Sequence, residues 1–287
     1  MDYVIIMDVS GDLDITLEEN KEIEFIPMEY SIGGEMRKCT GPEGPDVIKA
    51  FYNGQRSGDL TQTSQISPYM YEEYLTPYFE KGMSVIYLCL SSGLSSTYQS
   101  ACMAKENLKE SFPDLDFYPV DTLAATGGMG VLAERALRNK KAGMSAEENY
   151  KDLVQAAGKI KHWFLVQDLM YLKRGGRISA ATAVVATTLN IKPILEINKE
   201  GKLDTVAKKR GEKGASLYLL EEFSKDYDEQ SGDVIYVINA DVPELGELLV
   251  GKIKERFPEA TIRQSSLCPI IGAHTGPGMA AICYMSK

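Results

Sequence analysis

Apolar and polar positions along this chain fall into short blocks whose spacing changes near the middle. The opening Tyr3-Val4-Ile5-Ile6-Met7-Asp8 is an apolar run closed by an acid, the pattern of a parallel strand where it reaches its loop. Residues 23–28, 84–90 and 117–121 read as further strands, and 84–90 is rich in β-branched and aromatic side chains. Helical stretches fill the intervals at 69–81, 97–111, 128–142 and 146–160. Strands alternating with helices at this spacing predict a parallel sheet with helices on its faces.

Beyond about residue 162 the rhythm is different. Residues 164–166, 193–197, 203–207, 234–238, 260–264 and 280–285 read as strands, with about three helices among them, two of them plain at 214–227 and 243–257. This half has the pattern of an α+β layer. The expected organisation is therefore an N-terminal α/β domain over 1–161 and a C-terminal α+β domain over 162–287, in keeping with a length of 287 residues. No internal repeat or low-complexity tract interrupts either half.

Composition narrows the function classes. With 44% hydrophobic and 25% charged residues the chain has an ordinary globular balance. A net charge of −10 argues against nucleic acid as a partner, because phosphate-backbone affinity comes from clustered Lys and Arg. No apolar run approaches the roughly 20 residues that span a bilayer, and residues 1–14 carry acids instead of a basic leader, so the reading is a cytoplasmic protein. Five cysteines without a C-x-x-C pair are no disulfide framework, and Cys89 inside its apolar run reads as a small hydrophobe. Two histidines, His162 and His274, are too few for a His-rich zinc site, and no metal is expected.

The chemistry concentrates at Ser91-Ser92-Gly93-Leu94-Ser95-Ser96-Thr97, between the strand at 84–90 and the helix at 97–111. The carboxyl end of a parallel strand faces the ligand crevice. A helix start there offers unpaired N–H groups at the positive end of its dipole, and hydroxyls add further donors. Together they can hold an anion without Lys or Arg. Ser95 or Ser96 can also simply cap the helix, but five hydroxyl residues in seven exceed what one cap needs. Neither a G-x-S-x-G elbow nor a P-loop is present.

Three other stretches carry candidates. In Thr61-Gln62-Thr63-Ser64-Gln65-Ile66-Ser67-Pro68, Ser67 fits a helix cap with Pro68 at the first helical position, which leaves Thr63 and Ser64 to face a ligand. Lys173-Arg174-Gly175-Gly176-Arg177 sets three cations around a Gly pair, either a solvated basic turn or an anion clamp and docking surface. The run that follows, 180–189, is small and apolar, suited to a closely packed helix or a cavity wall. Gly272-Ala273-His274-Thr275-Gly276-Pro277-Gly278 reads as a tight turn that holds His274 on a loop, whereas His162 beside Trp163 reads as structural.

These blocks, taken in order, resemble the DegV family, which includes the fatty-acid-binding subunits of bacterial fatty acid kinase. The resemblance rests on Thr63-Ser64-Gln65-x-Ser67-Pro68, the Ser91–Ala101 block, Asp168-Leu169-x-Tyr171-Leu172-x-x-Gly175-Gly176-Arg177-Ile178, Asn190-Ile191-Lys192-Pro193-Ile194-Leu195 and His274-Thr275-Gly276-Pro277-Gly278, and it covers nearly the whole chain. It implies a two-domain protein with a ligand tunnel between its domains, a bound long-chain fatty acid and no cofactor. The carboxylate would be held by Thr63 and Ser95 with neighbouring amides, among Ser64, Ser92, Gly93, Ser96, Arg177, His274 and Thr275. A separate nucleotide-dependent kinase would phosphorylate the acid for phospholipid synthesis, docking at Arg210, Lys208 and Arg174, so the chain would present a substrate and hold no catalytic residue of its own. Transient membrane contact fits such a role. The family pattern usually opens Asp-Ser-x-x-Asp-Leu, where this chain reads Asp8-Val9-Ser10-Gly11-Asp12-Leu13; Ile66 and Ser96 replace a usual Pro and Gly. A reading from a different class is a serine hydrolase with Ser95 as nucleophile and His274 as base. Tail length and oligomeric state have no signal in the sequence.

Overall fold

The computed structural model describes residues 2–180 and 190–287. Of the small apolar run at 180–189, all but Ala180 lies outside the described residues.

The first half is built on a four-stranded parallel sheet in the order β2-β1-β6-β7, formed by β1 (Tyr3–Asp8), β2 (Glu24–Ile26), β6 (Ser84–Cys89) and β7 (Phe117–Asp121). Every residue of β1 and β6 is buried, as both-face coverage demands of a continuous apolar run. Helices α2 (Pro68–Glu80) and α3 (Thr97–Ser111) pack together on the Phe117 face; α5 (Ala146–Ala157) covers the other, where Tyr118 stacks on Tyr150. Ser67 caps α2 as expected, its hydroxyl accepting from the Met70 amide at 3.3 Å.

The single strand expected at 23–28 is two strands in two sheets. Pro27 has no N–H to continue a ladder, and beyond it β3 (Met28–Ile32) joins β4 (Glu35–Cys39) and β5 (Thr61–Thr63) in a small antiparallel sheet, with α1 (Pro45–Arg56) beside it.

The second half is a six-stranded mixed sheet, order β10-β9-β8-β13-β11-β12, made of β8 (Ile160–Leu165), β9 (Ile191–Ile197), β10 (Leu203–Arg210), β11 (Ile235–Asn239), β12 (Ile262–Ser266) and β13 (Ala280–Met285). Position 161, the expected boundary, is the second residue of β8. On one face, α7 (Gly211–Asp226) and α8 (Pro243–Arg256) close a core around Phe223, Val237 and Tyr284.

Between the two large sheets lies α4 (Gly127–Lys141), which touches β1 and β6 on one side and β8, β11 and β13 on the other. Glycines make that approach: a Cβ on Gly127 would sit 2.5 Å from the Tyr236 Cβ, one on Gly128 2.0 Å from His162 Nε2, and one on Gly130 2.5 Å from the Asp12 carbonyl. The short helices α6 (Met170–Arg174) and α9 (Pro269–Thr275) pack on each other, and the small sheet rests on α9. Residues 269–275 are thus helical, a correction to the tight turn read from the sequence. Pro269 occupies the first position and His274 the last turn, with Gly276 ending the helix at φ 74°.

Candidate functional site

A cavity of about 580 Å³ opens between the two large sheets, inside the range of small-molecule sites. Phe164 and Ala281, paired across β8 and β13, and Ile197 and Leu203, paired across β9 and β10, give it an apolar floor. The loops and short helices around it supply the polar groups. Thr63, Ser64, Ser92, Gly93, Ser95, Ser96, Arg177, His274 and Thr275 all line this one cavity, although they come from four separate stretches of chain.

Thr63 ends β5, and its hydroxyl lies 2.8 Å from His274 Nε2. His274 is mostly buried, and its other ring nitrogen, Nδ1, has no partner among the described residues. Gly175 fits against that nitrogen, since a Cβ there would stand 2.2 Å away. Burial first, and Arg177 nearby second, push the imidazole down to about 4, so it is neutral at neutral pH. Arg177 donates from Nε to the Leu94 carbonyl at 3.0 Å and from Nη1 to the Gly175 carbonyl. It thereby ties the turn after β6 to the turn after α6, and burial lowers its pKa.

The turn after β6 is tightly wired. The Ser91 hydroxyl donates to the Gly201 carbonyl at 2.7 Å, and the backbone of residues 200–201 presses against Gly93, where a Cβ would come within 2.5 Å of it. The close approach that Gly93 permits is therefore taken by the protein's own chain. The Ser95 hydroxyl accepts from the Thr97 amide at 3.3 Å and lies 2.8 Å from the Thr97 hydroxyl, so it holds the first amide of α3 from one residue before the N-cap, while Ser96, the N-cap itself, makes no side-chain cap bond. The amides of Leu90, Ser91, Ser92, Gly93, Leu94, Ser95 and Thr97 all have acceptors within the chain. The polar groups that this side leaves facing the cavity are consequently the hydroxyls of Ser92, Ser95 and Ser96, more than the amides of the turn.

Ser64 borders the cavity on an exposed loop, and the Thr275 hydroxyl donates back to the Ile271 carbonyl at 3.3 Å within α9. Of the residues assigned to docking, Arg174 is exposed and stacks its guanidinium 4.5 Å over the Tyr171 ring. Lys208 and Arg210 are exposed on β10, an edge strand. A bulge between Thr205 and Ala207 reverses the alternation, so Ala207 and Lys209 face α7, with Lys209 4.3 Å over the Tyr218 ring, while Lys208 and Arg210 point to the opposite face.

Sequence reasoning missed two wall residues. His162, read as structural, is buried with Nε2 3.1 Å from the Ala125 carbonyl and Nδ1 without a partner among the described residues, and it borders the cavity; burial holds it at about 4. Its strand position beside Phe164 on the same face was the available signal. Thr126, at φ 49°, also borders the cavity and donates to buried Asp12. Cys89 is buried as expected, which raises its thiol pKa, and all five cysteines are free. Among the described residues no group of three or more His, Cys, Asp or Glu could hold a metal ion, and no helix is long and apolar enough to cross a membrane. Ser95 and His274 share no hydrogen bond among the described residues; Thr63 takes the imidazole instead.

Comparison with known proteins bears on the chain as a whole. A DegV domain-containing protein of Clostridium perfringens is 34% identical over 283 residues, covering 99% of this chain and 97% of its own length. A Thermotoga maritima structure described as revealing fatty acid binding function superposes with a TM-score of 0.85 at 28% identity, covering all of both chains. The Streptococcus pneumoniae Fatty Acid Kinase (Fak) B3 protein, loaded with linoleic acid, shares the fold at 21% identity, with a TM-score of 0.86 over the full length of both chains. The model of the DegV family, described as uncharacterised proteins, matches residues 2–287. This chain belongs to the DegV family.

Proposed function

We propose that this chain encloses one long-chain fatty acid, its carboxylate among Thr63, Ser92, Ser95, Ser96 and Arg177 and its tail over the apolar floor. One observation carries the reading: hydroxyl donors from two distant segments and a half-buried arginine converge on a single cavity whose remaining wall is largely hydrocarbon. With His274 neutral and its proton on Nε2, the ring donates to Thr63 Oγ1, and in that tautomer the threonine proton is free to point at the ligand. The charge of Arg177 balances the carboxylate, while hydroxyls fix its orientation. Each buried methylene contributes roughly 0.8 kcal/mol, so a tail of about 16 carbons supplies on the order of 10 kcal/mol before ordering costs.

The finer role follows from the Fak B3 likeness and from exposed cations near the same face. The chain presents its acid to a separate nucleotide-dependent kinase, which transfers a phosphoryl group to the carboxylate, with Arg210, Lys208 and Arg174 as docking residues. It acts in the cytoplasm, and its division into domains at 161 belongs to the same proposal. The hydrolase reading lacks its nucleophile–base contact, and nothing favours it. Solvent extraction of freshly purified protein followed by mass spectrometry tests the binding role. A stoichiometric fatty acid is expected, and protein that retains no lipid and binds none when it is supplied would end this reading.

A further inference from the structure

We infer that Asp8 and Asp121, the acids that close the two strands flanking β6, are positioning residues that set the headgroup turn. The inference rests on the fatty-acid reading of the cavity. In the sheet order β2-β1-β6-β7, β1 ends in Asp8 and β7 in Asp121, one on each side of the strand that delivers the hydroxyl-bearing turn. Asp8 is fully buried and uses both oxygens. Its Oδ2 accepts from the Leu90 amide at 2.9 Å and the Tyr87 hydroxyl at 3.0 Å, and its Oδ1 from the Ser10 amide at 3.0 Å and the Ser10 hydroxyl. Tyr71 donates to Tyr87 at 2.8 Å and lies 3.4 Å from the Thr97 carbonyl, so the network that starts at Asp8 reaches the first residue of α3. Asp121 uses Oδ1 alone, accepting from the Ser92 amide at 3.0 Å and the Leu123 amide at 3.2 Å. The turn is thus held at Leu90, at Ser92 and at Thr97, and Ser92, Ser95 and Ser96 project from a backbone with little freedom to yield.

The two acids respond differently to amide replacement, because an amide has one acceptor oxygen where a carboxylate has two. Asp8→Asn sets an N–H against a donor whichever way it is turned. Asp121→Asn keeps the only oxygen in use, whereas Asp121→Ala removes it. The test uses delipidated full-length protein and compares heptadecanoic acid with heptadecanol as competitors of a fluorescent fatty acid. Asp8→Asn and Asp121→Ala should each weaken the acid about tenfold while the alcohol stays within about twofold, and Asp121→Asn should restore the preference for the acid. Equal weakening of acid and alcohol, or an acid preference unchanged in Asp8→Asn and Asp121→Ala, overturns the positioning role while leaving the fatty-acid reading intact. Wild-type protein that binds neither compound overturns both. Should Asp8→Asn fail to fold, the Asp121 pair decides the matter by itself.

Discussion

The two walls of the cavity solve opposite problems. On the side of the parallel sheet, the turn after β6 has its amides satisfied within the chain and is braced by acids at its neighbours' ends. On the other side, α9 and the turn after α6 bury groups that remain partly unsatisfied: His274 Nδ1 lacks a partner among the described residues, and Arg177 is partly desolvated against two carbonyls. In the proposed reading one wall supplies fixed geometry and the other supplies charge, and the floor between them adds most of the binding energy. On that reading a fatty acid carboxylate would be recognised by convergence, and damage to each part should leave a different signature.

The floor should give the largest effect. Ala281→Phe projects a ring into the tail space; displacing roughly four methylenes costs about 3 kcal/mol, more than a hundredfold in affinity. Thermal unfolding should change little, which separates a blocked cavity from a broken fold. Next comes the charge-bearing wall. His274 is neutral in the fold at about 4 but titrates near 6.5 when unfolded, so between those values the unfolded chain binds the extra proton and stability falls as pH falls. Urea unfolding at about pH 7 and about pH 4 should show the wild type losing up to about 3 kcal/mol relative to His274→Gln. An unchanged difference between the two proteins would show that His274 is not held neutral.

Thr63→Val, which removes the hydroxyl and leaves Nε2 of His274 unpaired, should cost about 2 kcal/mol of fatty acid affinity in a displacement titration. Ser95→Ala should cost about 1 kcal/mol, and Ser100→Ala, one turn along α3 and outside the cavity, much less. A reversed order would move the headgroup away from the turn. Arg210→Ala should leave lipid retention intact while reducing acyl phosphate formation with a partner kinase; equal turnover would remove Arg210 from the docking surface.

Much of the fold was legible where burial imposes a single period. The strands at Tyr3–Asp8, Phe117–Asp121 and Ala280–Met285 and the helix at Thr97–Ser111 lie at their expected limits. The small sheet was not legible: β4 exposes four of its five residues, and β5 is an exposed glutamine between two half-buried threonines, so neither shows an apolar alternation. Its position matters, because β5 is what brings Thr63 to His274. The hydroxyl turn could be read from composition and from its place after a strand. Its bracing could not, since Asp8 and Asp121 stand 82 and 29 residues from the amides they hold. The bulge that turns Lys208 and Arg210 away from α7 also has no sequence signature here, as neither Thr205 nor Val206 is a glycine.

A crystal structure of the protein with heptadecanoic acid bears most directly on the convergence of the two walls. The expected result places the carboxylate within hydrogen-bond reach of Thr63 Oγ1 and the Ser92–Ser96 hydroxyls, with the tail running over Phe164 and Ala281. A carboxylate found at the apolar floor, or a lipid bound elsewhere with this cavity empty, would contradict it.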